Sequence, residues 1–188
     1  MRVQAAGLEG ELDVPAVATG AVIFAHGSGS SRYSPRNRYV AGVLNEAGLA
    51  TLLVDLPNAD SLAPATRWLS HQPRLEGLKI GYFGASTGAA VALIRAAELP
   101  DLIDAVVSRG GRLDLAGDAL ESVEAPTLAI VGGNDPVVLD LNRQALARVH
   151  CVKELHVVPH AGHLFEEPGT LEEVATLARD WFLRFLSL

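Results

Sequence analysis

The chain has 188 residues, 49% of them hydrophobic, a single cysteine, and 15 basic against 22 acidic residues, for a net charge of -7. That length fits one domain spanning 1–188, the apolar fraction excludes a disordered chain, and the lone cysteine excludes an intrachain disulfide framework. The absence of any basic tract argues against nucleic acid or anionic lipid as a partner; no apolar run approaches the ~18 residues of a membrane span, the first seven residues lack a secretory apolar stretch, and a soluble cytoplasmic protein is expected.

Residues 8–14 alternate apolar and polar side chains and predict a half-exposed edge strand. Six short runs follow at 21–25, 49–54, 79–83, 104–108, 127–131 and 154–158, apolar nearly throughout. Such runs are what strands buried on both faces of a parallel sheet require. Helices are predicted between them. The first covers 35–47, with Ser34 as N-cap, Pro35 at the first helical position and Gly48 as the stop. Others are expected at 64–72, at 87–98 and at 137–149. A last one at 170–186 opens on Thr170 with Glu173 three residues on, a capping-box spacing. Strand–helix alternation of this kind predicts a mostly parallel, open α/β sheet with helices on both faces. In such sheets chemistry sits beyond the carboxyl ends of the strands.

The run at 79–83 opens onto Gly84-Ala85-Ser86-Thr87-Gly88, a G-x-S-x-G with a strand before it and a helix after it. A serine on so tight a turn is strained, and side chains at 84 and 88 would strike neighbouring backbone. The turn lifts the Ser86 hydroxyl to a helix N-terminus, where developing negative charge is favoured. A hydroxyl needs a base to attack. His163 follows Gly162 in the loop after the last strand and is the candidate; His160 nearby reads as a loop-packing residue. Asp135 stands after the strand at 127–131, where it would orient the imidazole. As an alternative it is the N-cap of the next helix, with Pro136 at the first position.

The chain resembles the α/β-hydrolases, and within that fold the dienelactone-hydrolase-like group. The resemblance rests on His26-Gly27-Ser28-Gly29-Ser30, Gly84-Ala85-Ser86-Thr87-Gly88, Gly132-Gly133-Asn134-Asp135 and Ala161-Gly162-His163, and runs from the strand at 21–25 to the final helix. The order Ser86, Asp135, His163 is that of the triad in this fold. The resemblance implies a serine hydrolase acting on small-molecule esters without a cofactor. Its oxyanion hole would use the Thr87 N–H and the Ser28 N–H, with Gly27 as second choice for the latter. Dienelactone hydrolases proper carry cysteine at the elbow. Ser86 in that place points to ordinary ester hydrolysis. Many members insert a lid after the strand that follows the nucleophile helix; here only about twenty residues separate Ser108 from Thr127, so an open, lidless site is expected. Acyl transfer is the variant within the same chemistry, and a non-catalytic ligand-binding scaffold is the alternative of another class.

Other features have plainer readings. Gly27 to Arg32 lacks the third glycine of a dinucleotide fingerprint and the Gly-Lys-Ser/Thr of a P-loop. His156, His160 and His163 have no acid or cysteine to complete a metal set. His26 reads as a brace for its loop, and Cys151 as a small structural hydrophobe. Arg109 either orients a substrate carboxylate or pairs with a local acid. Trp68, Trp181, Phe182 and Phe185 read as core contacts; a homodimer surface on the last helix would require Phe182 and Phe185 to be unburied.

Overall fold

A computed structural model describes residues 1–187. Eight strands form one sheet: β1 (Arg2–Ala5), β2 (Leu8–Asp13), β3 (Gly20–Ala25), β4 (Leu49–Val54), β5 (Ile80–Ala85), β6 (Ile103–Arg109), β7 (Thr127–Gly132) and β8 (Lys153–Val158). Their order is β1-β2-β4-β3-β5-β6-β7-β8. All neighbours from β4 to β8 are parallel, and β2 runs antiparallel to both β1 and β4. The chain moves from β3 outward to β4, then returns to place β5 on the other side of β3. That reversal leaves a crevice above the carboxyl ends of β3 and β5.

The strand predicted at 8–14 is not the edge. β1 pairs outside it, because Ala6 and Gly7 both take positive φ (54° and 84°) and close a two-residue hairpin. Four residues are too short a run for alternation to stand out, which is why β1 is invisible in the sequence.

Five α-helices cover the sheet: α1 (Pro35–Glu46), α2 (Leu62–Ser70), α3 (Thr87–Glu98), α4 (Pro136–Arg148) and α5 (Thr170–Leu186). Successive strand residues serve opposite faces. Val22 and Phe24 meet α1 and α5 through Val40, Leu44, Ala178 and Phe182. Ala21 and Ile23 meet the other face through Leu62, Leu69, Leu93 and Leu146 of α2, α3 and α4. Phe182 is fully buried against Gly81, where a Cβ would come within 2.7 Å of its ring. Burying such a ring is worth about 1.5–3 kcal/mol. With Phe182 inside and Phe185 partly covered, the face of α5 considered for a homodimer packs within the chain.

Two helix starts differ from expectation. α2 begins two residues before Pro64, since a proline is tolerated throughout the first turn, where amides lack intrahelical partners. α5 has no capping box: Gly169 at φ 82° is the N-cap, Thr170 donates its hydroxyl to the Glu167 carbonyl at 2.7 Å, and Glu173 meets His156 Nε2 at 2.9 Å. Between β6 and β7, a 3-10 segment at Leu113–Ser122, broken at Gly117, lies against α3 and α4 and forms no lid. Among the described residues no helix is long and apolar enough to cross a membrane.

Candidate active site

Ser86 stands between β5 and α3 with φ 52° and ψ -122°. Conformations of this kind cost about 1–3 kcal/mol and persist only where the surroundings enforce them. Here they do. The Ser86 N–H donates to the Arg109 carbonyl at 3.1 Å, and the Ser86 carbonyl accepts from Ala89 N–H at 3.2 Å and Arg112 N–H at 3.0 Å. The flanking glycines are required for space: a Cβ at Gly88 would lie 2.1 Å from the Ala25 carbonyl oxygen, and one at Gly84 2.4 Å from Ala89 Cα.

The three side chains expected to meet do so. Ser86 Oγ lies 3.3 Å from His163 Nε2, and His163 Nδ1 lies 2.7 Å from Asp135 Oδ2. The first distance is long for a hydrogen bond of this type, as resting nucleophile–base pairs often are. The second is that of a charge-assisted bond. A carboxylate accepts only, so Nδ1 carries the hydrogen, and Nε2 is left as the acceptor for the serine hydroxyl. Asp135 occupies the N-cap position of α4 ahead of Pro136, yet its side chain caps no amide. The carboxylate is committed to the imidazole, which decides between its two readings.

Backbone contacts bring the Asp135 and His163 loops together. Gly132 permits close approach, since a Cβ there would lie 2.3 Å from the Ala161 carbonyl oxygen. Asn134 N–H donates to that same carbonyl at 2.9 Å, and its side-chain amide donates to the His160 carbonyl at 3.0 Å. His160 itself is exposed, at φ 65°, and takes no part in the line of three. Gly110 lies flat against the imidazole, where a Cβ would come within 3.3 Å of His163 Cε1.

The expected pair of oxyanion donors is not ready as drawn. The Thr87 N–H has no acceptor among the described residues. The Ser28 N–H, however, already donates to Thr87 Oγ1 at 2.8 Å, and the two hydroxyls are 3.1 Å apart. In this structure the Ser28 N–H is thus held by the threonine hydroxyl. A hydroxyl one residue after the nucleophile competes with any substrate oxygen for the same amide. At Gly27, the second choice, a Cβ would lie 3.3 Å from the Ser86 Cβ.

His26 braces its loop. Leu56 N–H donates to His26 Nε2 at 2.9 Å, so Nδ1 carries the hydrogen and donates to the Gly27 carbonyl at 2.9 Å. Cys151 is far from the elbow, bonded to the Ala125 carbonyl at 3.1 Å, with burial pushing its thiol pKa up. Neighbouring cavity space of about 420 Å³ is lined by the loops after β3 and β4 and by Thr87, Gly88 and Val91 of α3. Leu164, Val137 and Leu115 are exposed at the same edge of the sheet.

Three supports carry no motif in the sequence. Glu167 Oε1 accepts the Gly162 N–H at 3.0 Å and steadies the His163 loop. Asn142, fully buried on α4, donates to the Gly111 carbonyl at 2.7 Å and fixes the turn behind the imidazole. Asn37, on α1, is the sole side chain bonded to Arg109 among the described residues, at 3.5 Å. An acid four residues after the histidine was the one visible hint.

The chain is similar to a crystal structure of a dienelactone hydrolase from Anabaena variabilis, with 52% identity and a TM-score of 0.95 over 99% of this chain and 96% of that one. The esterase Est1E from Butyrivibrio proteoclasticus, solved with ferulic acid bound, shares the fold at a TM-score of 0.81, 16% identity and 98% coverage of both chains. A Mycobacterium tuberculosis protein provisionally named a phosphoribosyl transferase is 56% identical in an alignment 193 positions long, which covers 94% of this chain and 44% of that protein. The chain thus spans less than half the length of that relative. The model of the dienelactone hydrolase family matches residues 46–188, which hold Ser86, Asp135 and His163 alike, and the chain belongs to that family.

Proposed function

We propose that the protein is a serine hydrolase that cleaves carboxylic esters of small or medium acyl groups through an acyl-enzyme on Ser86. The observation that carries the reading is the unbroken line from Ser86 Oγ through His163 to Asp135, at 3.3 and 2.7 Å. Ser86 Oγ attacks the ester carbonyl while His163 Nε2 takes its proton. Asp135 holds the tautomer and stabilises the imidazolium. The carbonyl oxygen, now negative, is held by the Thr87 N–H at the head of α3, where the helix dipole adds to the donor. The Ser28 N–H joins it once the Thr87 hydroxyl turns away. His163 returns the proton to the leaving alcohol. Water then repeats the sequence on the acyl-enzyme, and no cofactor enters any step.

Family membership and the hydrolase and esterase neighbours support this reading. The transferase name belongs to a protein more than twice this chain's length, and the loop at 27–32 lacks the phosphate-binding patterns already noted. The test is hydrolysis of short-chain p-nitrophenyl esters by the wild type and by Ser86→Ala, with fluorophosphonate labelling alongside. Turnover and labelling that both vanish in Ser86→Ala are expected. Labelling without turnover of any ester would favour acyl transfer or ligand sensing, and no labelling at all would remove the serine from the mechanism.

A further inference from the structure

In hydrolysis through Ser86, the tetrahedral carbon carries three groups besides the serine Oγ: the oxyanion, the leaving oxygen and the acyl chain. Two of them have set destinations. The oxyanion turns to the Thr87 N–H at the head of α3. The leaving oxygen stays within reach of His163 Nε2, because the proton taken from Ser86 Oγ is delivered to it as its bond to carbon breaks. Strand order sorts the third. Asp135 and His163 follow β7 and β8, on one side of β5, and the loops after β3 and β4 lie on the other. The imidazole and the cavity of about 420 Å³ therefore flank Ser86 from opposite sides.

The walls of that cavity are tied together. Thr87, beside the nucleophile, belongs to its lining, and Val91 lies one turn further along the same face of α3. Leu56, Pro57 and Ala59 supply the rest of its apolar lining. His26 joins the two loops, with the Leu56 N–H and the Gly27 carbonyl each 2.9 Å from one of its ring nitrogens. Arg95, one turn beyond Val91, holds the short 3-10 turn at Ala59–Ser61 against α3: Nη2 donates to Asp60 at 2.7 Å and Nε to the Ala59 carbonyl at 3.3 Å. A pocket braced in this way needs little ordering to receive a chain, which lowers the cost of binding.

Its chemistry is neutral. Among the described residues no Asp, Glu, Lys or Arg lines it, and both ring nitrogens of His26 are bonded to backbone. Its polar groups are hydroxyls and one amide, from Ser28, Ser30, Thr87 and Asn58. A carboxylate carried into such a place would lose water without gaining a charged partner. We propose that this cavity is the acyl subsite of the Ser86 hydrolase, that it selects uncharged acyl chains of medium length, and that Val91 and Ala59 set the length it accepts. This assignment rests on the ester-hydrolase reading of Ser86 and leaves the alcohol on the His163 side.

The experiment varies one end of the ester at a time. With p-nitrophenol as the constant leaving group, kcat/KM is measured for the acetate, butyrate and hexanoate in the wild type, Val91→Phe and Ala59→Phe. Hexanoate is expected to lose about tenfold or more relative to acetate in Val91→Phe, because each methylene excluded from an apolar pocket carries a large factor, and to fall in the same direction in Ala59→Phe. With butyrate constant, the methyl and hexyl esters should change by one common factor in each variant. In the wild type the adipate monoester, a hexanoate with a terminal carboxylate, should be slower than hexanoate by about tenfold or more. Fluorophosphonate labelling of Ser86 reports that each variant is folded. Ala59 sits on an exposed turn and supplies the answer should Val91→Phe fail to fold. Variants that shift the dependence on the alcohol instead assign the cavity to the leaving group and overturn the proposal, as does a wild type that prefers adipate. Ester turnover with an unshifted hexanoate-to-acetate ratio in both variants removes the subsite alone. Labelling without turnover of any ester removes the hydrolase and the acyl subsite together.

Discussion

Arg32 and Arg109 stand at the same edge of the sheet and show nearly equal exposure, 8% and 7%. Their surroundings are opposite. Arg32 donates to both Glu9 (2.7 Å) and Asp55, its own N–H meets Asp55 Oδ1 at 2.7 Å, and it lies 4.4 Å from the centre of the Tyr33 ring. It lies near the surface, covered by its own partners, and ties the loop after β3 to β2 and to the end of β4. Arg109 lies deeper and has one amide oxygen. The Nε of each lacks a partner, so the difference lies in the carboxylates: the covered charge is ion-paired where the chain needs architecture and has no carboxylate beside Ser86, where strain also collects. The same division holds for the two histidines that matter. His26 spends both ring nitrogens on backbone, whereas His163 keeps one for a hydroxyl.

The sharpest way to break the comparison is at the strained edge. Ser86→Ala is expected to lower ester turnover by roughly 10⁴–10⁶ while the thermal midpoint stays or rises, since the hydroxyl packs against nothing that holds the fold. A midpoint drop as large as that of a core deletion would mean that the elbow is structural. Asp135→Asn should cost roughly 10³–10⁴ in kcat with little change in KM, because the amide presents the imidazole with the wrong tautomer.

The two arginines should answer the same substitution with opposite signs. Burial first, and the like charge of Arg36 second, lower the Arg109 pKa to about 10. A base with a lowered folded pKa is held more tightly protonated by the unfolded chain, so its charge works against folding at every pH below about 10 and is relieved only above it. Arg109→Met is therefore expected to raise stability at neutral pH by on the order of 1 kcal/mol, as thermal or urea unfolding would read. Arg32→Met strands two carboxylates and should lower the midpoint. Equal signs would erase the distinction between the paired and the open arginine.

The smallest effect concerns the oxyanion donors. Thr87→Val removes the hydroxyl that holds the Ser28 N–H while keeping its own backbone amide. A rise in kcat, less than about tenfold, is expected if that amide is then free for the oxyanion. A fall would assign the threonine hydroxyl a supporting role instead.

Much of this was legible in the residues. Five of the six runs were visible because β3 to β7 are buried on both faces, which forces an apolar run; the sixth, β8, is the far edge of the sheet and is buried only at Val158, so double burial does not explain its run. The elbow was visible because Gly84 and Gly88 leave no room for a side chain. Ser34-Pro35 and Asp135-Pro136 marked helix starts through chemistry local to four residues. What escaped was non-local or too short. β1 gave only two alternations, and its identity as the edge depends on a hairpin at Ala6-Gly7. Thr170 and Glu173 had the spacing of a capping box, but Gly169 took the cap and His156 took the glutamate.

The residues by themselves determined the element order, the doubly covered parallel sheet, and the three distant positions whose side chains meet at its carboxyl edge, because burial periodicity and chain order follow from local pattern and connectivity. Only the tertiary structure decided that the Ser28 amide is already engaged by Thr87, that Asp135 serves the imidazole rather than its own helix, and that Arg109 lies buried without a carboxylate. Those outcomes depend on which donors and acceptors from remote segments come within about 3 Å of one another, and no periodicity along the chain reports that.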